Sequence, residues 1–365
     1  MKSIVLCSLS LSVCLVGQSD EATGEDLWNE SAKELSASFG VGYKQNVLYS
    51  EIAPKDSKFS YASFDGYAKG ELVGLGAAWS LMGSGDVRHF TDVDNVPDEA
   101  FIIALGKFSK SVGLFSELTA GTRYLYISQA FDATFDILDE RTAVLRAQEP
   151  ELFLEWRSLL WEFEYALNAS SARMYFKDSV NDFETDSLEF ELNYELTEKS
   201  LITLTLEASE RAYTDLEARS SMGLPISGSL REMDILSAEL EWERHFSLAN
   251  WVGDYGIEIE FSERRDPAFG YYDRDRKKVG LEWALKSHAW SFGLDVGYSE
   301  SDYLVQIVED GDMRSSESWI SSLQIERRLN EAWSAFINLD LEVEDSNETF
   351  FSYDSNSILF GFRLQ

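Results

Sequence analysis

The sequence has few cysteines and few prolines, and it contains no long apolar run. Of its 365 residues, 2 are cysteine and 5 are proline. No apolar run approaches the roughly 20 residues of a membrane-spanning helix, which excludes a helical membrane protein. The scarcity of proline favours long uninterrupted strands over a multidomain chain punctuated by proline.

Basic residues are also scarce. Lysine and arginine total 31 against 65 aspartate and glutamate residues, so the net charge is -34. A chain of this charge is repelled by nucleic acid and by anionic headgroups, and we expect no nucleic-acid partner. A hydrophobic content of 44% with 13% aromatic residues excludes a disordered chain.

The N-terminal residues have the pattern of an export signal. Met1 and Lys2 precede an apolar stretch from Ile4 to Val16, and small residues follow. We interpret residues 1–19 as a signal peptide and residues 20–34 as a short polar segment. The alternative is a lipoprotein signal that uses Cys14. Cleavage at residue 19 leaves no cysteine, which excludes cysteine catalysis, thiolate metal sites and disulfides.

Residues 35–365 alternate apolar and polar side chains with the period of a two-faced β-strand. The clearest run is Leu188-Glu-Phe-Glu-Leu-Asn-Tyr-Glu-Leu196. A helix would instead repeat its apolar residues every three or four positions. We count about 16 strands, starting near residues 35, 58, 72, 98, 114, 150, 161, 183, 200, 229, 251, 271, 289, 315, 332 and 351.

Short and long connections alternate along the chain. Tight turns fall near residues 110–113, 159–161, 197–200, 247–250, 286–289 and 329–332, and longer polar segments separate the other strand pairs. This alternation predicts an all-β fold: a single transmembrane antiparallel up-and-down β-barrel of about 16 strands, with 14 possible. The turns are then periplasmic and the long loops external. A propeller would show a blade repeat, and none is present.

Two terminal motifs resemble a known group of proteins. Gly40-Val-Gly-Tyr-Lys-Gln-Asn-Val47 is similar to the first strand of bacterial outer-membrane β-barrel proteins of porin-like type. Residues 358–365 resemble the C-terminal strand that the barrel-assembly machinery reads in that group, although the usual terminal aromatic is replaced by Gln365. The resemblance implies a location in the bacterial cell outer membrane, with lipid, lipopolysaccharide and that machinery as partners.

The alternation also assigns a face to each strand residue. Leu188, Leu240 and Ile257 fall on the lipid side, whereas many carboxylates and a few bases fall on the inward side. The predicted pore-lining residues are Glu162, Glu164, Glu189, Glu191, Glu195, Glu239, Glu241, Glu243, Glu258, Glu260, Glu282, Asp295, Asp340, Glu342, Arg123, Arg264 and Arg328. Tryptophans after short turns and tyrosines at the opposite strand ends predict two interfacial aromatic belts.

These residues predict a porin-like channel for passive diffusion of small hydrophilic solutes through an acidic lumen, and preference for cationic solutes is one form of this hypothesis. The alternative is a non-conducting structural or partner-binding barrel that serves export or surface attachment. An external hydrolase built on His89, near Asp86 and Asp92, is a third hypothesis. We expect no enzyme, because the chain lacks Gly-x-Ser-x-Gly, His-Glu-x-x-His and phosphate-binding glycine motifs. No cofactor and no metal site are predicted.

Overall fold

A computed structural model describes residues 28–29, 32–51, 54–72, 75–93, 96–132, 142–177 and 179–365. Within them one antiparallel sheet closes into a barrel of 16 strands, as predicted. The barrel strands are β2 (Lys33–Gln45), β3 (Ser57–Leu72), β4 (Ala77–Phe90), β5 (Glu99–Val112), β6 (Ser116–Asp132), β7 (Thr142–Leu160), β8 (Phe163–Phe176), β9 (Phe183–Thr197), β10 (Ser200–Arg219), β11 (Pro225–Leu248), β12 (Trp251–Arg265), β13 (Arg274–Lys286), β14 (Trp290–Ile307), β15 (Met313–Arg328), β16 (Trp333–Ser346) and β17 (Tyr353–Leu364). A two-residue strand, β1 (Trp28–Asn29), pairs with β3.

Each barrel strand pairs with its neighbours in sequence, and β17 closes the ring by pairing with β2. In lipid every backbone donor and acceptor needs a partner, and closure supplies partners for both edge strands. The predicted signal peptide, including Cys7 and Cys14, lies outside the described residues. The first barrel strand begins at Lys33, two residues before the predicted boundary.

Most strand starts lie close to their predicted positions, but two differ clearly. Strand β4 begins at Ala77 rather than near residue 72, because β3 continues to Leu72. Strand β7 begins at Thr142 rather than near residue 150. Pro150 lies within β7, where the pairing with β8 skips residues 149 and 150. Proline cannot donate to a ladder, so the strand tolerates it at this gap.

The outward face carries continuous apolar rows. Leu192, Leu204, Leu240, Ile259 and Val279 are directly paired across five adjacent strands, β9 to β13. Leu240 is 48% exposed. Such a row suits contact with acyl chains, so the closed barrel lies in the bacterial outer membrane. No helix among the described residues is long and apolar enough to cross a membrane.

The Gly40–Val47 motif has a packing explanation. Gly42 faces inward directly beneath the Phe59 ring, and a Cβ on Gly40 would lie 2.9 Å from Leu359. These two glycines therefore let side chains from β3 and β17 lie flat on the backbone of β2.

The described part of the first external loop, residues 46–51 and 54–56, folds into the barrel mouth. Val47 and Leu48 are 0% and 2% exposed and pack against Phe59, Phe336 and Leu359. Asn46 fixes the loop, because its Nδ2 donates to the carbonyl of Ser50 at 2.9 Å and its Oδ1 accepts from the Ser50 amide.

Residues 132–149 are the longest connection that the sequence predicts, and they are the candidate for a loop that constricts the pore. Residues 133–141 lie outside the described part, and Thr142 onward belongs to β7. Among the described residues, the first external loop does pack inside the barrel mouth.

Candidate functional site in the barrel lumen

The inward face of β9 to β12 carries a group of half-buried carboxylates, which we call the glutamate patch: Glu189, Glu191, Glu207, Glu239, Glu241, Glu258 and Glu260. Strand pairing sets them directly opposite one another. Glu207 lies opposite Glu189, and Glu239 lies opposite Glu260. Glu241 lies opposite Glu258. Like charges in directly opposed positions destabilise a sheet, so this arrangement costs folding free energy.

Few bases balance the glutamate patch. Lys278 forms an ion pair with Glu258 at 2.7 Å. Much of the patch lines a recess of about 470 Å³ that also contains Lys278 and Arg276. Carboxylate oxygens of Glu239, Glu258 and Glu260 all lie within 4.8 Å of one another. The recess is therefore a wet, strongly anionic section of the lumen wall.

The other predicted carboxylates continue this wall or lie elsewhere. Glu243, Glu282 and Asp295 lie on the inward face of β11, β13 and β14, with Glu282 opposite Asp295. Glu195 is exposed near the periplasmic end of β9. Glu162 lies in the turn between β7 and β8, not on a strand. The alternation extended one residue too far there, because a two-residue turn interrupts it.

Three of the predicted carboxylates outside the patch have basic or hydrogen-bonding partners. Asp340 forms an ion pair with Arg88 at 3.6 Å, and Glu342 accepts a hydrogen bond from the Tyr353 hydroxyl at 2.6 Å. Glu164 pairs with Arg157 at 3.1 Å. These groups resemble the cross-strand pairs expected in any packed polar interior.

The three predicted basic residues have different surroundings. Arg123 forms ion pairs with Glu149 and Glu151. Arg328 lies at the periplasmic end of β15 and donates to the carbonyl of Asn330 at 3.1 Å. Arg264 was predicted as a pore-lining residue, but the group of bases to which it belongs was not predicted from the sequence.

This group, the arginine cluster, consists of Arg211, Arg231, Arg264 and Arg274. Its members lie on the inward face near the external ends of β10 to β13. Arg264 lies directly opposite Arg274 across β12 and β13. The cluster and the glutamate patch thus share the same strands, with the cluster nearer the outside.

Several tyrosines expected in the external aromatic belt point into the barrel instead. Tyr213 lies opposite inward-facing Phe183, and Tyr303 is 3% exposed. Arg231 lies over the ring of Tyr213, 5.1 Å from its centroid, and Arg314 lies 4.4 Å from the centroid of Tyr303. The belt prediction was wrong for these residues, because the rings hold arginines by cation–π contact.

Tyr49 also lies inside, in the first external loop. Its hydroxyl accepts a hydrogen bond from Lys44 Nζ at 2.6 Å, and the same Nζ forms an ion pair with Glu99 at 2.7 Å. Burial, reinforced by the nearby charges of Glu99 and Glu342, raises the pKa of Tyr49 well above its usual value. The loop is thus tied to a buried charge pair.

His89 lies on the outward face, opposite Ser60. Its Nδ1 is 2.7 Å from Asp98 rather than next to Asp86 or Asp92, and its side chain is 62% exposed. Asp92 pairs with Lys58 at 3.7 Å. The acidic residues of this external loop are therefore paired with bases, apart from Asp94, which lies outside the described residues.

The lumen wall is crowded at some positions and open at others. The inward ring of Phe153 lies against Gly121, and Phe336 lies against Gly361. Around inward-facing Gly297 no atom would come within 4 Å of an added Cβ. The wall is thus open at this point of β14, on the strand that also carries Asp295.

No family model matches the chain, and no curated protein matches it. Solved outer-membrane proteins are similar at low identity. OccAB1 of Acinetobacter baumannii has a TM-score of 0.49 and 10% identity, and the match covers 91% of this chain and 96% of that one. OccK2 of Pseudomonas aeruginosa, solved with glucuronate, gives 0.45 and 11%, covering 91% and 98%. A loop-deletion mutant of OmpT of Vibrio cholerae gives 0.42 and 10%, covering 92% and 99%.

Proposed function

We propose that the barrel is a porin-like channel for passive diffusion that favours small hydrophilic cations. The observation that carries this proposal is the glutamate patch, where cross-strand neighbours are both carboxylates on the inward face of a closed transmembrane barrel. An inward polar residue is required by the fold, but a directly opposed pair of like charges is not. Attraction of cations to the patch explains why the chain keeps opposed carboxylates that lower its folding stability.

The physical basis is electrostatic focusing in a narrow aqueous space. Carboxylates fixed on a wall with low-dielectric lipid behind it raise the local concentration of cations and lower that of anions. Rings of acidic side chains select cations in channels by the same means. The patch is half-buried and lines a recess of about 470 Å³, so its charges face the lumen rather than bulk water.

A closed barrel that binds a partner is the second candidate. The specific observation in its favour is the first external loop, because Val47 and Leu48 pack with Phe59 and Phe336 across part of the barrel mouth. This packing narrows one side of the entrance. The open space around Gly297 on β14 favours conduction. The expectation that the chain is not an enzyme stays a prediction.

Single-channel recording in a planar bilayer tests the proposal. In a tenfold salt gradient we expect steady open steps and a reversal potential that approaches the limit for an ideal cation channel, about 59 mV. The triple substitution Glu189→Gln, Glu239→Gln and Glu260→Gln should move that potential toward zero. Each of these residues faces the recess, and none is the ion-pair partner of Lys278.

The matched control removes three charges from the outer face. Glu300, Glu317 and Asp345 lie in one row across β14, β15 and β16, on the lipid-facing side near the external end. Changing them to Gln, Gln and Asn alters net charge equally and should leave the reversal potential unchanged. Equal shifts in both variants would refute the role of the patch, and a folded barrel without conductance would support the partner-binding alternative.

A further inference from the structure

The arginine cluster carries positive charge without paired carboxylates, although the chain as a whole is strongly acidic. Net charge is -34, yet none of its four members forms an ion pair with a carboxylate among the residues that the structure describes. Two inward arginines elsewhere do have such partners: Arg157 pairs with Glu164 at 3.1 Å, and Arg363 pairs with Glu326 at 2.8 Å. Four arginines without an ion pair are thus gathered near the external ends of β10 to β13.

Three members of the cluster are held in place by aromatic rings or backbone. Arg231 lies 3.8 Å from the centroid of the Tyr272 ring and donates to the Tyr272 hydroxyl. Arg264 donates from Nε to the Tyr272 carbonyl at 3.1 Å. Arg211 lies 4.3 Å from the centroid of the Phe183 ring. These contacts orient the guanidinium groups without neutralising their charge.

Burial makes the unbalanced charge costly. Arg231 is 5% exposed, and the Nε atoms of Arg211, Arg231 and Arg274 are buried without a hydrogen-bond partner in the described structure. A buried cation without a counter-charge, and a buried donor without an acceptor, both destabilise the folded state. Arg264 and Arg274 add direct cross-strand repulsion.

The carboxylates that alternate with the cluster along β11 to β13 do not remove this cost, because they lie on the other face. Glu232, Asp234 and Glu263 alternate with the cluster on β11 and β12, so their side chains point outward. Asp275 is likewise outward, where it pairs with Arg265 at 2.7 Å. On the inward face Glu149 and Glu207 interact electrostatically with Arg211, but neither forms an ion pair with a member of the cluster among the described residues. An anion in the lumen can supply the missing counter-charge.

We propose that the arginine cluster is a binding site for a small oxyanion that bears a carboxylate or phosphate group. The planar guanidinium fork donates two parallel hydrogen bonds to such groups, and several converging forks neutralise the charge that one anion brings. The unpartnered Nε atoms supply donors for this interaction. The cluster precedes the glutamate patch on the path from outside, so the site is an external subsite of the lumen.

Thermal unfolding of the refolded full chain in detergent, without lipopolysaccharide, tests the site. Inorganic phosphate and succinate are the probes, each compared with chloride at equal ionic strength. Both should raise the midpoint of unfolding in a saturable way, and Arg231→Gln with Arg264→Gln should weaken the apparent affinity at least tenfold. The control Arg157→Gln removes a paired inward arginine and should bind as the native chain does.

A charge-preserving variant distinguishes loss of the binding site from misfolding of the barrel. Arg231→Lys with Arg264→Lys keeps two cations but loses the fork, so we expect a folded barrel with affinity between the native and glutamine variants. Protection by one probe alone would support the site and restrict its class. The proposal would be overturned if neither probe protected the native chain. It would also be overturned if the native chain and both double variants were protected equally.

Discussion

Replacing Gly42 with alanine tests the packing that explains the first-strand motif. An added Cβ would lie 2.5 Å from the Ile358 carbonyl oxygen and directly against the Phe59 ring. The ring could turn aside, but the carbonyl belongs to the closing strand β17 and cannot move without disturbing the pairing of β2 with β17. Overpacking of this kind costs about 1–3 kcal/mol.

Gly297→Ala is the matched control, since it is another inward strand glycine with no atom within 4 Å of the added Cβ. Alanine in a strand gains about 0.5–1 kcal/mol over glycine in both variants, because it loses less chain entropy on folding. That gain cancels in the comparison. The free energies of unfolding of the two variants should therefore differ by about 1–3 kcal/mol, the packing cost alone.

Urea unfolding in lipid vesicles, followed by tryptophan fluorescence, measures this difference. We expect Gly297→Ala to be at least as stable as the native chain and Gly42→Ala to be less stable. A Gly42→Ala barrel as stable as Gly297→Ala would show that β2 and β17 are not in close contact at Gly42, and it would remove the packing explanation of the motif.

Three further changes test the first external loop and the charge pair below it. Lys44→Met leaves Glu99 charged and largely buried, so unfolding free energy should fall by about 3–5 kcal/mol, and adding Glu99→Gln should recover much of it. Leu48→Ser places a hydroxyl in an apolar cluster, so the loop should loosen and single-channel conductance should rise. Burial first, and nearby carboxylates second, raise the pKa of Tyr49. The unfolded phenol ionises first, near pH 10, so stability should fall above that pH, and Tyr49→Phe should flatten this slope in urea titrations.

Alternation along each strand was sufficient to predict the fold and much of the carboxylate wall. Leu188 and Glu189 fall on opposite faces because successive side chains in a strand point to opposite sides. The same rule places Tyr213 inward, since it shares parity with Thr205 on β10. The belt interpretation overlooked this signal and followed only the position of Tyr213 near a strand end.

The arginine cluster could not be predicted in the same way. Parity gives the face of Arg211, Arg231 or Arg264, but it does not give the stagger between strands, which decides whether three distant residues reach one level of the barrel. Loop lengths contribute to that stagger, and the start of β7 at Thr142 rather than near residue 150 shows that the sequence pattern does not give them accurately. The burial of Val47 and Leu48 depends on the same tertiary packing.

The two lumen proposals make a joint prediction that neither makes alone. A cation that enters from outside meets the arginine cluster before the glutamate patch, so the cluster opposes the attraction of the patch. An oxyanion bound at the cluster neutralises it and should increase cation selectivity. Adding succinate to the external side should therefore move the reversal potential further toward the cation limit. Arg231→Gln with Arg264→Gln should start nearer that limit and respond less to succinate. A native channel whose selectivity falls as succinate is added would show that the cluster does not lie on the conduction path ahead of the patch.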